Sequence, residues 1–261
     1  MGPERLHDKA LQVLPGLGEV VVVPEGFHLH QLAARLEAQG VCSRADFLAQ
    51  AHEPALLTEL RIEGPSVEGY IHPATYVFER DAVPRRVLGK LLEKRRVWLD
   101  AHAAERAAFT ERPLTELQWL TLASLVERET ARADERPRVA RVFLNRLADV
   151  EGPTRGRLQS DPTAAYGCWE KGEELESCRG FRGLVSAEML RDAKNPYNTY
   201  RFAGLPPGPI ASPSEASLLA VLHPAAGDEL YFVADGTGRH TFSRTFEEHR
   251  QAVERLKVRE N

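Results

Sequence analysis

The stretch Leu114-Thr-Glu-Leu-Gln-Trp-Leu-Thr-Leu-Ala-Ser-Leu-Val-Glu-Arg-Glu-Thr-Ala131 follows Pro113 and places apolar residues at three- and four-residue intervals, so it reads as one helix. At 100° per residue, Glu129 falls between Leu122, Leu125 and Val126 on the apolar face. Glu127 is turned more than about 100° away, beside Leu120, Ala123 and Ser124. A carboxyl set against aliphatic groups keeps its proton toward neutral pH and can give it to a leaving oxygen. The same position also suits a helix-end glutamate paired with Arg128, Arg132 or Arg136, and spacing alone leaves both readings open.

Outward from this helix the chain alternates helical and extended stretches. Downstream, Pro137 starts a helix that runs to Leu147, and Gly152, Pro153, Gly156, Gly167 and Gly172 then mark a long irregular region of the kind that carries function. Upstream, residues 83–109 read as one long charged helix with Val87, Leu91, Arg95, Trp98 and His102 along one face. Nearer the N-terminus, Glu19-Val-Val-Val-Val23 is a strand, residues 28–39 form a helix closed by Gly40, and Ser43 caps another helix. At the other end, residues 213–222 form a helix begun by Ser212, residues 230–242 a strand, turn and strand, and residues 245–258 a final helix. The expected fold is α+β, with a small subdomain over residues 1–66 and a larger catalytic domain over 67–261, divided at Gly64-Pro65.

Composition narrows the function. Thirty-four Lys and Arg stand against 38 Asp and Glu, a net charge of -4, so nothing electrostatic favours nucleic acid or an anionic membrane. The longest apolar runs, Leu218 to Leu222 and Leu230 to Ala234, hold five residues each, where a membrane span needs about 18. Residues 1–18 lack the hydrophobic segment of a signal peptide. Three cysteines, Cys42, Cys168 and Cys178, form no CxxC, and the histidines show no HExxH, so no metal and no cofactor are expected. Cys168 and Cys178 are near enough in sequence to pair in an oxidising compartment, or all three are unrelated thiols. Gly236-Thr-Gly238 lacks the strand-to-helix setting of a nucleotide loop and reads as a hairpin turn.

What remains is a set of side chains suited to sugar: Gln159, Asp161, Tyr166, Tyr197, Asn198, Thr199, Tyr200 and His240, all expected in turns or loops. Amides and carboxylates bind hydroxyl pairs, and aromatic rings cover the apolar faces of pyranoses. The same residues also serve turns and cores, and each alone favours that reading.

Six motifs then resemble one family. Leu122-Ala-Ser-Leu-Val-Glu-Arg-Glu-Thr130, Val142-Phe-Leu-Asn-Arg-Leu147, Leu158-Gln-Ser-Asp-Pro-Thr163 with Tyr166-Gly167, Pro196-Tyr-Asn-Thr-Tyr200, Gly204-Leu-Pro-Pro-Gly-Pro-Ile210 and Tyr231-Phe-Val-Ala-Asp-Gly236 with His240-Thr-Phe242 are similar to the YceG-like endolytic murein transglycosylases, in the same order. Residues 21–51 resemble that family's LysM-like subdomain.

The resemblance implies an extracytoplasmic enzyme that cuts peptidoglycan glycan strands between N-acetylmuramic acid and N-acetylglucosamine and leaves a 1,6-anhydro end. It implies Glu129 as the single catalytic acid and then base. Asn145, Gln159, Asp161, Tyr197, Asn198, Thr199, Tyr200 and His240 are carried over as groove residues, and proteins of cell-wall synthesis as further partners. An oxidising location would let Cys168 and Cys178 join. Two positions depart from the family pattern: Ala74 stands where an aspartate is usual, and Arg239 where a glycine is usual. The family's membrane anchor is absent from this sequence. A glycan-binding protein without activity and a hydrolytic muramidase are the competing functions.

Overall fold

A computed structural model describes residues 18–260; the reading of residues 1–17 as lacking a signal segment lies outside the described residues. The elements run β1 (Glu19–Val23), α1 (Leu29–Ala38), α2 (Arg44–Ala51), α3 (Pro54–Glu59), β2 (Ala74–Phe78), α4 (Pro84–Ala101), α5 (Ala103–Ala108), α6 (Glu116–Glu129) and α7 (Arg136–Ala148). They continue as α8 (Asp161–Lys171), two short 3-10 turns, α9 (Ala187–Arg191), α10 (Glu215–Leu222), β3 (Tyr231–Ala234), β4 (His240–Ser243) and α11 (Phe246–Glu260). Helices dominate over two small sheets, a mixed α+β architecture.

The β-branched run of β1 pairs antiparallel with β2, Val21 opposite Tyr76, and these two side chains face the core. The partner strand thus comes from beyond residue 66, and one apolar core runs from Val21 and Leu36 through Leu91 and Trp119 to Val221. Arg95 stitches this core together: fully buried on α4, it donates to the carbonyls of Ile71 and Pro213. Near the core's centre α6 packs against α10, α7 and α8. A two-sided capping box starts α6, in which Thr115 accepts from the Gln118 amide and the Gln118 side chain accepts from the Thr115 amide.

Three local readings need correction. The helix expected over 83–109 is two helices, α4 and α5, because His102 departs from helical geometry, turns its Nδ1 to the Trp98 carbonyl at 2.8 Å and stacks on the Trp98 ring. The helix expected to start after Ser212 is capped by Ser214, whose Oγ accepts from the Ser217 amide. The region after Gly152 is not irregular throughout, for α8 lies within it and Asp161 and Tyr166 are helical. Gly167 suggested a loop, yet it sits inside α8, where glycine is needed because a Cβ would lie 1.9 Å from Asn195 Oδ1.

The C-terminal end of α8 meets the N-terminal helices. Glu170 lies 3.1 Å from the Nε2 atoms of both His30 and His52, and the Tyr166 hydroxyl donates to it at 2.8 Å. Cys168 on the same helix is joined to Cys178 by a disulfide. A small apolar cluster of Cys168, Leu175, Cys178 and Met189 surrounds that bond. Among the described residues no helix is long and apolar enough to cross a membrane.

Candidate active site

Glu129 is the last residue of α6 and is half-buried. Its Oε1 accepts a hydrogen bond of 2.5 Å from Ser160 Oγ. Burial pushes its proton affinity up; the Ser160 bond opposes this, the nearby Asp161 carboxylate adds to it, and the Arg146 and His240 charges act against it. The net shift is upward, and the carbonyl end of a helix disfavours a carboxylate as well.

Each neighbour is held by its own element. Arg146, buried on α7, donates to the carbonyls of Leu230 and Leu158 and lies under the Tyr231 ring, so its charge is fixed beside Glu129 without being neutralised. Ser160 is the residue before α8, and exposed Asp161 is its first residue. The Tyr200 hydroxyl donates to Asp161 Oδ1, and burial together with that bond raises the phenol's affinity for its proton. His240 opens β4 and places Nδ1 2.7 Å from Glu135 Oε2. Burial alone would raise the Glu135 pKa, but the His240 bonds and the Arg239 charge bring it below the usual value. Arg239 also pairs with Asp134 at 2.9 Å.

The second carboxylate of α6 has a different life. Glu127 Oε2 accepts from the Ser214 amide, the Ser214 hydroxyl and the Ser217 hydroxyl, and Oε1 accepts from Arg136 at 3.2 Å. The wheel separates the two glutamates correctly, but the face that carries Glu127 is covered too, by α10 and Arg136. The helix-end pairing considered for Glu129 therefore goes elsewhere: Arg136 to Glu127, Arg132 to Asp134, and Arg128 to the Gly26 carbonyl.

Of the residues expected in a sugar groove, the structure gathers Asp161, Tyr200 and His240 about Glu129 with some surface free, and Gln159, also partly exposed, precedes the Ser160 that bonds Glu129. Gln159 takes a left-handed φ of 51°, and among the described residues its side-chain amide makes no hydrogen bond. The others lie behind that surface. Asn198 is fully buried and its Nδ2 donates to the carbonyls of Met189, Leu190 and Asp192. Thr199 Oγ1 accepts from the Ser160 amide at 3.0 Å, and buried Tyr197 packs edge-on against Tyr166. Asn145 donates to the carbonyls of Gly227 and Glu229 and so ties the loop before β3 to α7.

Sequence reasoning missed Ser160, Arg146 and Glu135. Ser160 stands before Asp-Pro-Thr and looks like an ordinary helix cap, which hid its contact with Glu129. Among the described residues no group of three His, Cys, Asp or Glu side chains is arranged to hold a metal ion.

Comparison with known proteins bears on the same residues. The model of the YceG-like family matches residues 4–255. The endolytic murein transglycosylase of Bacillus subtilis (strain 168) is 29% identical over 252 residues, covering 90% of this chain and 64% of that protein. The enzyme of the same description from Streptococcus pneumoniae serotype 2 (strain D39 / NCTC 7466) is also 29% identical, over 89% of this chain and 44% of its own length. A crystal structure described as a putative yceG-like protein from Listeria monocytogenes superposes with a TM-score of 0.75 at 30% identity, covering 89% of this chain and 75% of that one. The chain thus spans about two thirds or less of the length of these curated relatives.

Proposed function

Because this chain belongs to the YceG-like family, we propose that it is an endolytic peptidoglycan transglycosylase that uses Glu129 alone, first as acid and then as base. The observation that carries the reading is Glu129 itself, a desolvated carboxyl of raised pKa with, among the described residues, one side-chain hydrogen-bond donor and a face still partly open.

The chemistry follows from that state. Protonated Glu129 gives its proton to the glycosidic oxygen between N-acetylmuramic acid and N-acetylglucosamine, the bond from the muramyl anomeric carbon breaks, and the sugar departs as an alcohol. The resulting carboxylate takes the proton of the muramyl 6-hydroxyl as that oxygen bonds to the anomeric carbon. The product is a 1,6-anhydro end, Glu129 is protonated again, and no water is consumed. Exposed Asp161, anchored by Tyr200, supplies negative charge near the developing oxocarbenium ion. Gln159, Tyr200 and His240 are the groove's contacts with sugar, while Asn145, Tyr197, Asn198 and Thr199 hold its walls in place.

We also assign the N-terminal unit, LysM-like by resemblance, to gripping the glycan strand, and the whole protein to the outer side of the cytoplasmic membrane. The pairing of β1 with β2 means that residues 1–64 cannot be removed without opening the shared core, so that role is tested by substitutions on the unit's surface. Asp161 is the observation that favours a hydrolytic muramidase, since a second carboxylate could activate water. Mass spectrometry of products from purified glycan strands separates the readings. Anhydro ends support the transglycosylase, reducing ends the muramidase, and intact strands a binding protein.

A further inference from the structure

Ser160 occupies the N-cap position of α8, where a serine ordinarily accepts a hydrogen bond from a backbone amide of the first turn, yet its side chain makes no capping bond. The first turn asks little of it. Pro162 has no N–H, and the Thr163 amide bonds the Ser160 carbonyl instead at 3.1 Å. The hydroxyl is thus released from the helix and directed 31 residues back in the chain, to Glu129 Oε1.

The Ser160 backbone is fixed on both sides. Its N–H donates to Thr199 Oγ1 at 3.0 Å, its carbonyl accepts from Thr163 Oγ1 at 2.6 Å, and the two threonine hydroxyls lie 2.9 Å apart. The preceding residue, Gln159, is held in the left-handed region, a conformation that is strained for a non-glycine residue and persists where its surroundings require it. Ser160 is itself buried, and among the described residues Glu129 is the acceptor for its hydroxyl proton.

We propose that Ser160 is a positioning residue, which makes Oε1 of Glu129 the permanent acceptor and leaves Oε2 as the oxygen that gives and retakes the catalytic proton. The inference rests on Glu129 being the acid and base of the proposed reaction. A hydroxyl has one proton, and Ser160 spends it on Oε1 in both halves of the cycle. When Glu129 is a neutral acid, Oε1 is its carbonyl oxygen and the acid proton sits on Oε2. When Glu129 is a carboxylate, the same bond is charge-assisted and stabilises the anion. The carboxyl therefore does not rotate between protonating the leaving oxygen and deprotonating the 6-hydroxyl.

The test uses the full chain with S160A, S160T and E129Q. Three quantities are read: kcat and KM on glycan strands across pH, the titration midpoint of the Glu129 carbonyl band in the infrared, assigned by its loss in E129Q, and the melting temperature. For S160A we expect kcat to fall at least about tenfold with KM nearly unchanged. The infrared midpoint and the high-pH limb of activity should both move up by about one pH unit, because a donor to the charged form is gone. S160T, which keeps the hydroxyl, should return both toward the native values. A lower melting temperature with an unmoved midpoint makes Ser160 merely structural and overturns the proposal, as does native kcat in S160A. Should E129Q still cleave glycan, the reading of Glu129 as the acid falls, and with it the catalytic part of this proposal. A midpoint shift in S160A would then stand only as evidence for the hydrogen bond.

Discussion

Two residues apart at the end of α6, and among the described residues, Glu127 collects four hydrogen bonds from Ser214, Ser217 and Arg136, while Glu129 receives one from Ser160. Both belong to the same helix turn and both are largely withdrawn from water. The difference teaches that burial does not by itself make an acid catalyst. Donors that occupy both oxygens tie a carboxylate into the fold, whereas a desolvated carboxyl with spare lone pairs can exchange a proton with a bound molecule. A third case lies at the junction of α8 with the N-terminal helices. Glu68 is buried, accepts from the Leu29 and Gly69 amides and from the Tyr166 hydroxyl, and burial pushes its pKa up to about 8. Glu68 holds its proton at neutral pH, but it faces protein on every side and has nothing to which to give the proton.

The comparison breaks first at Glu129. Glu129→Gln should lower cleavage by about a hundredfold or more while strand binding and melting temperature survive, since the amide matches the carboxyl in size. A folded variant that released anhydro products at the native rate would refute the mechanism.

Glu127 should answer in stability instead. Glu127→Ala strips the partner from buried Arg136 and from two serine hydroxyls, and should cost about 3 kcal/mol in chemical denaturation. Its kcat per folded molecule should remain within a small factor of native. Loss of chemistry without loss of stability would mean that the two glutamates have been assigned the wrong way round.

Glu68 sharpens the contrast through pH. Its folded pKa of about 8 lies above the unfolded 4.5, so its contribution is complete below pH 4.5 and declines as pH rises toward 8. His52, raised chiefly by its hydrogen bond to Glu170, acts in the same sense above its unfolded 6.5. Gln mimics the neutral acid, so Glu68→Gln should match the native protein near pH 5 and exceed it near pH 9. Even half of the shift is worth about 2 kcal/mol, read as the difference between the two stability curves. Parallel curves would show that Glu68 ionises freely in the folded protein.

The smallest effect on chemistry is expected at the disulfide. Replacing Cys168 and Cys178 by serine opens a loop of sequence separation 10 and should cost about 3 kcal/mol of stability, the chain entropy that closing the loop removes from the unfolded state, with kcat close to native. Because Cys168 lies on α8, the helix that Ser160 precedes, any change in kcat here would trace to Ser160 and Glu129 and leave the Glu127 network untouched.

Much of the local structure was legible beforehand. Ser43 caps α2 as its spacing with Asp46 requires, β3 and β4 flank the Asp235 to Gly238 turn, and the core face of α4 carries Val87, Leu91 and Arg95 as periodicity demands. α8 was hidden because Gly167 and Pro162 are also loop residues, and only the approach of Asn195 shows why glycine is needed mid-helix. Glu68 and the histidines about Glu170 were not singled out as a cluster, for they stand up to 140 residues apart and no periodicity links them.

By itself the sequence determined that a helix follows Pro113, that Glu127 and Glu129 leave it on opposite sides, and that the motifs follow a family order, because all three depend on residue type at fixed local spacing. Only the tertiary structure decided which of the two carboxylates is saturated. The donors to Glu127 come from Ser214 and Ser217, 87 and 90 residues away, and from Arg136, 9 away, while among the described residues the side-chain donor to Glu129 is Ser160, 31 residues away. A carboxyl's proton affinity is set by the dipoles and low-dielectric surroundings that reach it in space, and helical spacing carries no record of those.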